Sequence, residues 1–244
     1  MTVFYLKIIA AASMLVDHFA WAVYLPMVQM PWQFELYGLM RGVGRIAFPI
    51  YAYLIAQGCL HTRSINRYLL RLGLLALVSE VFFDLALVHP NGGIDFLRNT
   101  NIFYTLFFGV AAIRAYEQIR EGLNASPVKN IISGVQLAAA PLLAWVFSSD
   151  YGVAGVLLIL LLYAAGPQNR VKRTAAMGLG LCFFYLPIID GAPNPLFIFA
   201  MAAVLCVFLY NGRPGPRHAA IKWGFYFFYP LHLAALIVLR NILV

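Results

Sequence analysis

Residues 44–86 read GRIAFPIYAYLIAQGCLHTRSINRYLLRLGLLALVSEVFFDLA. Two apolar runs flank the basic stretch HTRSINR at 61–67. The first reaches back to residue 36 and the second ends near residue 88, so each has about the 20 residues that a helix needs to cross a hydrocarbon core about 30 Å thick. Outward from here the same alternation of long apolar run and short polar gap continues to both ends. Of the 244 residues, 63% are hydrophobic and 11% charged, where a soluble domain runs near half and a quarter. The bilayer is therefore the expected solvent. Only helices or closed barrels satisfy their backbone in lipid, and unbroken apolar runs favour helices.

The reading is an all-α integral membrane protein of about nine transmembrane helices, with limits near 3–25, 36–60, 67–88, 101–120, 129–148, 151–166, 173–190, 195–210 and 219–242. No hydrophilic segment is long enough for a second domain, so residues 1–244 are expected to form one polytopic unit. The N-terminal run could serve as a cleaved signal, but Asp17 and His18 interrupt it, and it is taken as the first span. Cys59, Cys182 and Cys206 have no paired spacing, so neither disulfides nor a metal site is expected. Helices five and six are joined only by Ser148-Ser149-Asp150, which predicts a tight hairpin.

Alternate connections hold the cations: Arg63, Arg67 and Arg71; Arg114, Arg120 and Lys129; Arg170, Lys172 and Arg173; Arg213, Arg217 and Lys222. The intervening ones hold Glu35, Asp95, Asp150 and Asp190. By the positive-inside rule the N-terminus faces the cytoplasm and the C-terminus the outside. The net charge of +8 is then a topology signal, and nucleic acid is not an expected partner.

An ionised group at the bilayer centre costs at least about 2.5 kcal/mol, so each one kept there asks for a partner or a task. Asp17 and His18 lie in helix one, Arg41 and Arg45 in helix two, Glu80 and Asp84 in helix three. The last two pairs are spaced i, i+4 and so share a helix face. At about 1.5 Å per residue, Asp17, Arg45 and Glu80 come out about 12 Å below the outer surface, and Arg41 and Asp84 near 6 Å. The expected network sets Arg45 between Asp17 and Glu80, with Arg41 near Asp84. Three carboxylates against two guanidiniums leave a negative excess, for which His18 is the natural neighbour. The alternative is an ion-paired clasp that only holds helices together. His232, in Tyr229-Pro230-Leu231-His232, is the other deep histidine, with a packing role as its competing reading.

Weaker signals surround these. Gly42 and Gly44, like Gly178 and Gly180, suggest close helix packing rather than a nucleotide loop. His89-Pro90-Asn91-Gly92-Gly93 has turn chemistry and is read as a connector in preference to a cover over a site. Asn124-Ala125-Ser126 matches a glycosylation triplet on the side assigned to the cytoplasm.

The stretch 44–86 resembles the TraX family, as do MLVDH from Met14 to His18, DYGVAGVLLILLLYA from Asp150 and KWGFYFFYPLHL from Lys222. The similarity covers most of the chain and combines buried charges, prolines and glycines in one order. It implies an acyltransferase of the bacterial inner membrane. The TraX family is linked to N-terminal acetylation of conjugative pilin and is similar to multi-span acyltransferases that acetylate sugars, including the lysosomal heparan glucosaminide N-acetyltransferase. Those take acetyl-CoA from the cytoplasm and modify an acceptor on the far side, and a membrane histidine is central in several. By motif position Asp17 and His18 match the family's DH pair, Arg45, Phe48 and Pro49 its GRIAFP motif, and Glu80 and Asp84 its acidic positions in helix three. The acceptor implied is a pilin N-terminus, a glycan or a lipid.

Residues and resemblance together lead to one expected geometry. Arg63, Arg67, Arg71, Arg170, Lys172 and Arg173 hold the phosphates of acetyl-CoA. His18 acts as general base, Arg45 or Asn101 stabilises the oxyanion, and Asp17 or Glu80 orients the imidazole. Two other readings compete: a proton-coupled transporter that uses the Asp, His and Glu set as a relay, and a structural subunit.

Overall fold

The computed structural model describes residues 1–122, 127–166, 169–185, 188–189, 192–193, 196–216 and 218–244. The Asn124-Ala125-Ser126 triplet, Asp190 and Arg217 lie outside the described residues. Helices dominate: α1 (Val3–Phe19), α2 (Pro31–Gly44), α3 (Ala47–His61), α4 (Ile65–Phe83), α5 (Ile102–Gly122), α6 (Pro127–Val146), α7 (Gly152–Ala165), α8 (Arg170–Tyr185), α9 (Phe197–Ala200), α10 (Ala202–Phe208) and α11 (Ala219–Leu243). The strands among the described residues are Ile188–Ile189 and Ala192–Pro193, an antiparallel pair.

Among the described residues, three helical stretches are long and apolar enough to cross a membrane: Val3–Met27, Pro31–His61 and Trp223–Leu243. Gly152–Ala165 and Ile198–Phe208 are apolar but shorter. The expected helix over 36–60 is interrupted where α2 gives way to α3, with Arg45 and Ile46 donating to the carbonyls three residues back. Pro49 supplies a reason. It has no N–H for a carbonyl four residues earlier, so a helix restarted at Ala47 carries it harmlessly in its first turn.

The chain divides into two compact units. The first comprises Met1–Tyr51, Val81–Ile94 and Leu181–Val244. Here α1 continues as a π-helical turn, Ala20–Tyr24, and a 3-10 turn, Leu25–Met27, while α4 ends in a second π-helical turn, Asp84–Val88. Ala22, Val23 and Leu236 form a core with Phe19, Leu87 and Leu239. The start of the chain is pinned by backbone bonds from Val3 to Arg213 and from Asn211 to Met1. Gly42 and Gly44 are close-packing positions, since an added Cβ would run into Phe199 and Asp17 respectively. In the 89–93 turn, Gly92 and Gly93 take φ of 104° and 127°, a region open to glycine. Arg240 donates to the carbonyls of Leu85, Ala86 and Pro90, a cation meeting the oxygens that a helix end leaves unpaired.

The second unit comprises Ala52–Glu80 and Asp95–Gly180. Its core joins Ala76, Tyr104, Phe108, Ala112, Ala140, Ala144 and Val156. The hairpin expected at Ser148-Ser149-Asp150 is present between α6 and α7. Thr105 Oγ1 donates to Ser149 Oγ at 2.9 Å, Ser149 Oγ to the Ala144 carbonyl, and Asp150 N to the Thr100 carbonyl. Gly180 packs on Leu158, whereas among the described residues a methyl group at Gly178 would meet nothing within 4 Å.

Candidate functional site

In the first unit, two cations expected from the sequence meet at one carboxylate. Arg41 Nη1 lies 2.7 Å from Asp17 Oδ2, and Arg45 Nη2 lies 3.1 Å from Oδ1. The i, i+4 spacing turns both arginines to one face of α2, and Gly44 lets the Asp17 carboxyl approach that face. Arg45 Nε also donates to the Arg41 carbonyl at 3.3 Å. The Arg41 guanidinium covers the Trp21 ring at 4.3 Å, which adds a cation–π term on its open side. The expected partner of Arg41 is Asp84; its ion pair is with Asp17 instead. Asp84 is fully buried at the head of the second π-helical turn.

His18 and His232 are the second group, and both are buried. His18 Nδ1 stands 2.7 Å from His232 Nε2, with the rings nearly parallel at 11° and centroids 5.0 Å apart. His232 Nδ1 is 2.8 Å from the Phe228 carbonyl one turn back on α11. Phe228 stacks on His232 at 4.8 Å, and Tyr229 meets both imidazoles edge-on. The expected neighbour of His18 is surplus carboxylate charge; its hydrogen-bond partner is another histidine. Asp17, one residue away, points about 100° around α1 and is taken by the arginines.

Glu80 and Asn101 pair in the second unit, both fully buried. Asn101 donates through its backbone N at 3.0 Å and through Nδ2 to Glu80 Oε2. Its Nδ2 also donates to the Ala76 carbonyl at 2.8 Å, and its Oδ1 accepts from Phe103 N. Asn101 is thus the N-cap of α5. A side-chain amide has two hydrogens, and both are committed. Asn101 is expected, as the alternative to Arg45, to stabilise an oxyanion; here its side-chain hydrogens go to Glu80 and the Ala76 carbonyl.

The cations expected to hold a coenzyme also lie in the second unit. Arg63 and Arg67 are exposed, and Arg71 is half-buried with Nε on the Arg67 carbonyl and its guanidinium over Tyr68. Arg170 and Lys172 are exposed in the first turn of α8, whose Lys172 N is capped by Asn169. Arg173 is buried.

What sequence reasoning missed is the meeting of the two histidines, although a signal existed. Counted from the ends assigned inward, His18 is 18 − 3 = 15 residues into its span and His232 is 232 − 219 = 13, about 22 and 20 Å at 1.5 Å each. The stacking of Arg41 on Trp21 had no such signal.

The chain is thus a helical protein with apolar stretches long enough to cross a membrane, and its interior holds an arginine-bound carboxylate and a histidine pair. The chain is a member of the TraX family, described as TraX protein, whose profile matches residues 4–240. A relative from Dichelobacter nodosus, named probable fimbrial assembly protein FimC, serogroup H1, is 28% identical over 248 residues, spanning 96% of this chain and 93% of its own length. No solved structure matches.

Proposed function

We propose that this protein is a multi-pass acyltransferase of the bacterial inner membrane, which moves an acetyl group from cytoplasmic acetyl-CoA to an amine or hydroxyl at the outer side. The observation that carries the reading is the buried contact of 2.7 Å between His18 and His232, beside an aspartate bound by two arginines. Family membership supports it, and the fimbrial assembly name of the relative favours a pilin N-terminus over a glycan or lipid as acceptor.

The proposed orientation has nine spans and an inward N-terminus. Tryptophan gathers at membrane interfaces, and all four here are at least 43% exposed. Trp21, Trp32 and Trp145 occupy helix ends assigned outward, and Trp223 one assigned inward, which fits this topology.

In the proposed reaction the acceptor nitrogen attacks the thioester carbonyl carbon and His18 Nε2 takes its proton. The tetrahedral oxyanion is stabilised by the Arg45 guanidinium. Its collapse breaks the C–S bond, and the departing thiolate receives the proton from His18. Arg63, Arg67, Arg71, Arg170 and Lys172 are the groups proposed for the nucleotide phosphates. Arg173, being buried, is the least suited of the expected set. Asp17 holds Arg41 and Arg45 rather than the imidazole, and Glu80 is assigned with Asn101 to anchoring the start of α5.

The test is purified protein in lipid nanodiscs with labelled acetyl-CoA and synthetic pilin N-terminal peptides. Label on the peptide amine is expected. No affinity for CoA would overturn the reading and favour the proton-coupled transporter, for which proton flux in sealed vesicles is the counterpart measurement.

A further inference from the structure

The partners of the two histidines determine which ring nitrogens carry hydrogen. The Phe228 carbonyl can only accept, so His232 Nδ1, 2.8 Å away, carries a hydrogen. In the uncharged ring that leaves Nε2 with a lone pair. His232 Nε2 is 2.7 Å from His18 Nδ1, and a bond between two nitrogens needs one hydrogen and one lone pair. His18 Nδ1 therefore donates, and the remaining lone pair of the dyad is on His18 Nε2.

We infer that His232 is a positioning residue: it holds His18 in the Nδ1–H tautomer and so leaves Nε2 as the basic nitrogen. This deepens the acyltransferase reading and rests on it for its catalytic consequence. A base next to a general-acid step must present one defined nitrogen, and an orienting acceptor on the other nitrogen is how an imidazole is held to it. Carboxylates usually fill that place. Here the carboxylate next in sequence, Asp17, is bound by Arg41 and Arg45, and the acceptor is a second imidazole, itself fixed by its own helix. Three features hold His232 still: the bond to Phe228, the stacked Phe228 ring and the edge of Tyr229. The first of these follows from the i, i+4 geometry of α11, in which a side chain leans back toward the preceding turn.

The histidine-by-glutamine exchange separates positioning from mere packing. In His232→Gln, the Oε1 atom comes near the place of Nε2 and accepts from His18 Nδ1. In His232→Phe the ring volume stays and the acceptor is lost. Under the proposal, His232→Phe lowers kcat about 100-fold, as loss of alignment does, while the KM for acetyl-CoA holds, and His232→Gln recovers most of the rate. Nitrogen-15 NMR of histidine-labelled protein in nanodiscs, assigned by single variants among the five histidines, is the second arm. It should show His18 with Nδ1 protonated and Nε2 bare in the wild type and in His232→Gln, and a mixture of tautomers in His232→Phe. The proposal is overturned if His232→Phe transfers acetyl at the wild-type rate, if His232→Gln is as slow as His232→Phe, or if wild-type His18 shows a bare Nδ1. Should wild-type protein transfer no acetyl group, the acyltransferase reading falls on its own, and the NMR arm still decides the tautomer.

Discussion

Gly44 is the place on α2 against which the Asp17 carboxyl group rests: a methyl built there would overlap the carboxyl carbon and Oδ1. The absence of a side chain at position 44 is what lets the acid reach both Arg41 and Arg45. Gly44→Ala should therefore act as an overpacking change, lowering stability by about 1–3 kcal/mol. Gly38→Ala on the same helix meets nothing within 4 Å among the described residues and should be neutral or gain up to about 1 kcal/mol in helix propensity. Thermal unfolding of both variants in one detergent checks the contrast, and equal behaviour would refute it.

Asp17→Ala should be the most damaging truncation in the cluster, because it removes the carboxylate that two guanidiniums share. Breaking a buried pair costs about 3–5 kcal/mol. Arg41→Ala should cost less, since Arg45 still contacts the acid. The double variant Asp17→Ala, Arg41→Ala should be milder than the sum of the singles, as expected for partners in one network. A double-mutant cycle on melting in detergent measures this coupling; strict additivity would show that the residues do not act together.

Asn101→Asp should destabilise strongly. The exchange removes the amide hydrogens now given to Glu80 and the Ala76 carbonyl and sets a second carboxylate against the first. Adding Glu80→Gln restores a donor and relieves the like charge, so the double variant should recover part of the loss. Recovery of monodisperse protein on size exclusion reads the effect. If Asn101→Asp alone behaves as wild type, the pair is not holding α5.

If Arg67, Arg170 and Lys172 bind the nucleotide phosphates, replacing each by Ala should raise the KM for acetyl-CoA several-fold with kcat unchanged, the signature of lost uniform binding. The same KM should rise with ionic strength. Arg120→Ala is the control, because its exposed guanidinium pairs with Glu117, an arrangement worth about 0–1 kcal/mol. A loss of kcat in the three variants, or an equal KM change at Arg120, would count against the assignment.

Much of the architecture was legible in the chain, and its gaps have physical causes. The run and gap alternation anticipated helices and the hairpin at Ser148-Ser149-Asp150, since hydrophobic length and turn residues are local properties. It did not anticipate the break at Arg45–Ile46, where the demand of Pro49 for a first-turn position outweighs the continuous apolar run. Nor did it anticipate the split of 195–210 into α9 and α10, for which no residue in the run supplies a reason. At the site, the shared face of Arg41 and Arg45 followed from their spacing. That both turn to Asp17 did not: counted along the helices, Arg41 is level with Asp84 at about 6 Å and Asp17 lies at about 12 Å, and depth by itself does not say which acid a long arginine side chain reaches.

By itself, then, the chain determined the apolar length and helical character of its candidate spans, and the set of ionisable side chains drawn into them, because these depend on composition, period and distance along a helix axis. Tertiary structure decided the pairings: Asp17 with two arginines, His18 with His232, Glu80 with Asn101. The reason is rotational. Depth along an axis is countable from residue numbers, but which neighbour a side chain meets depends on how each helix is turned about that axis, and that is set by packing at positions such as Gly44, where the partner, Asp17, is 44 − 17 = 27 residues away.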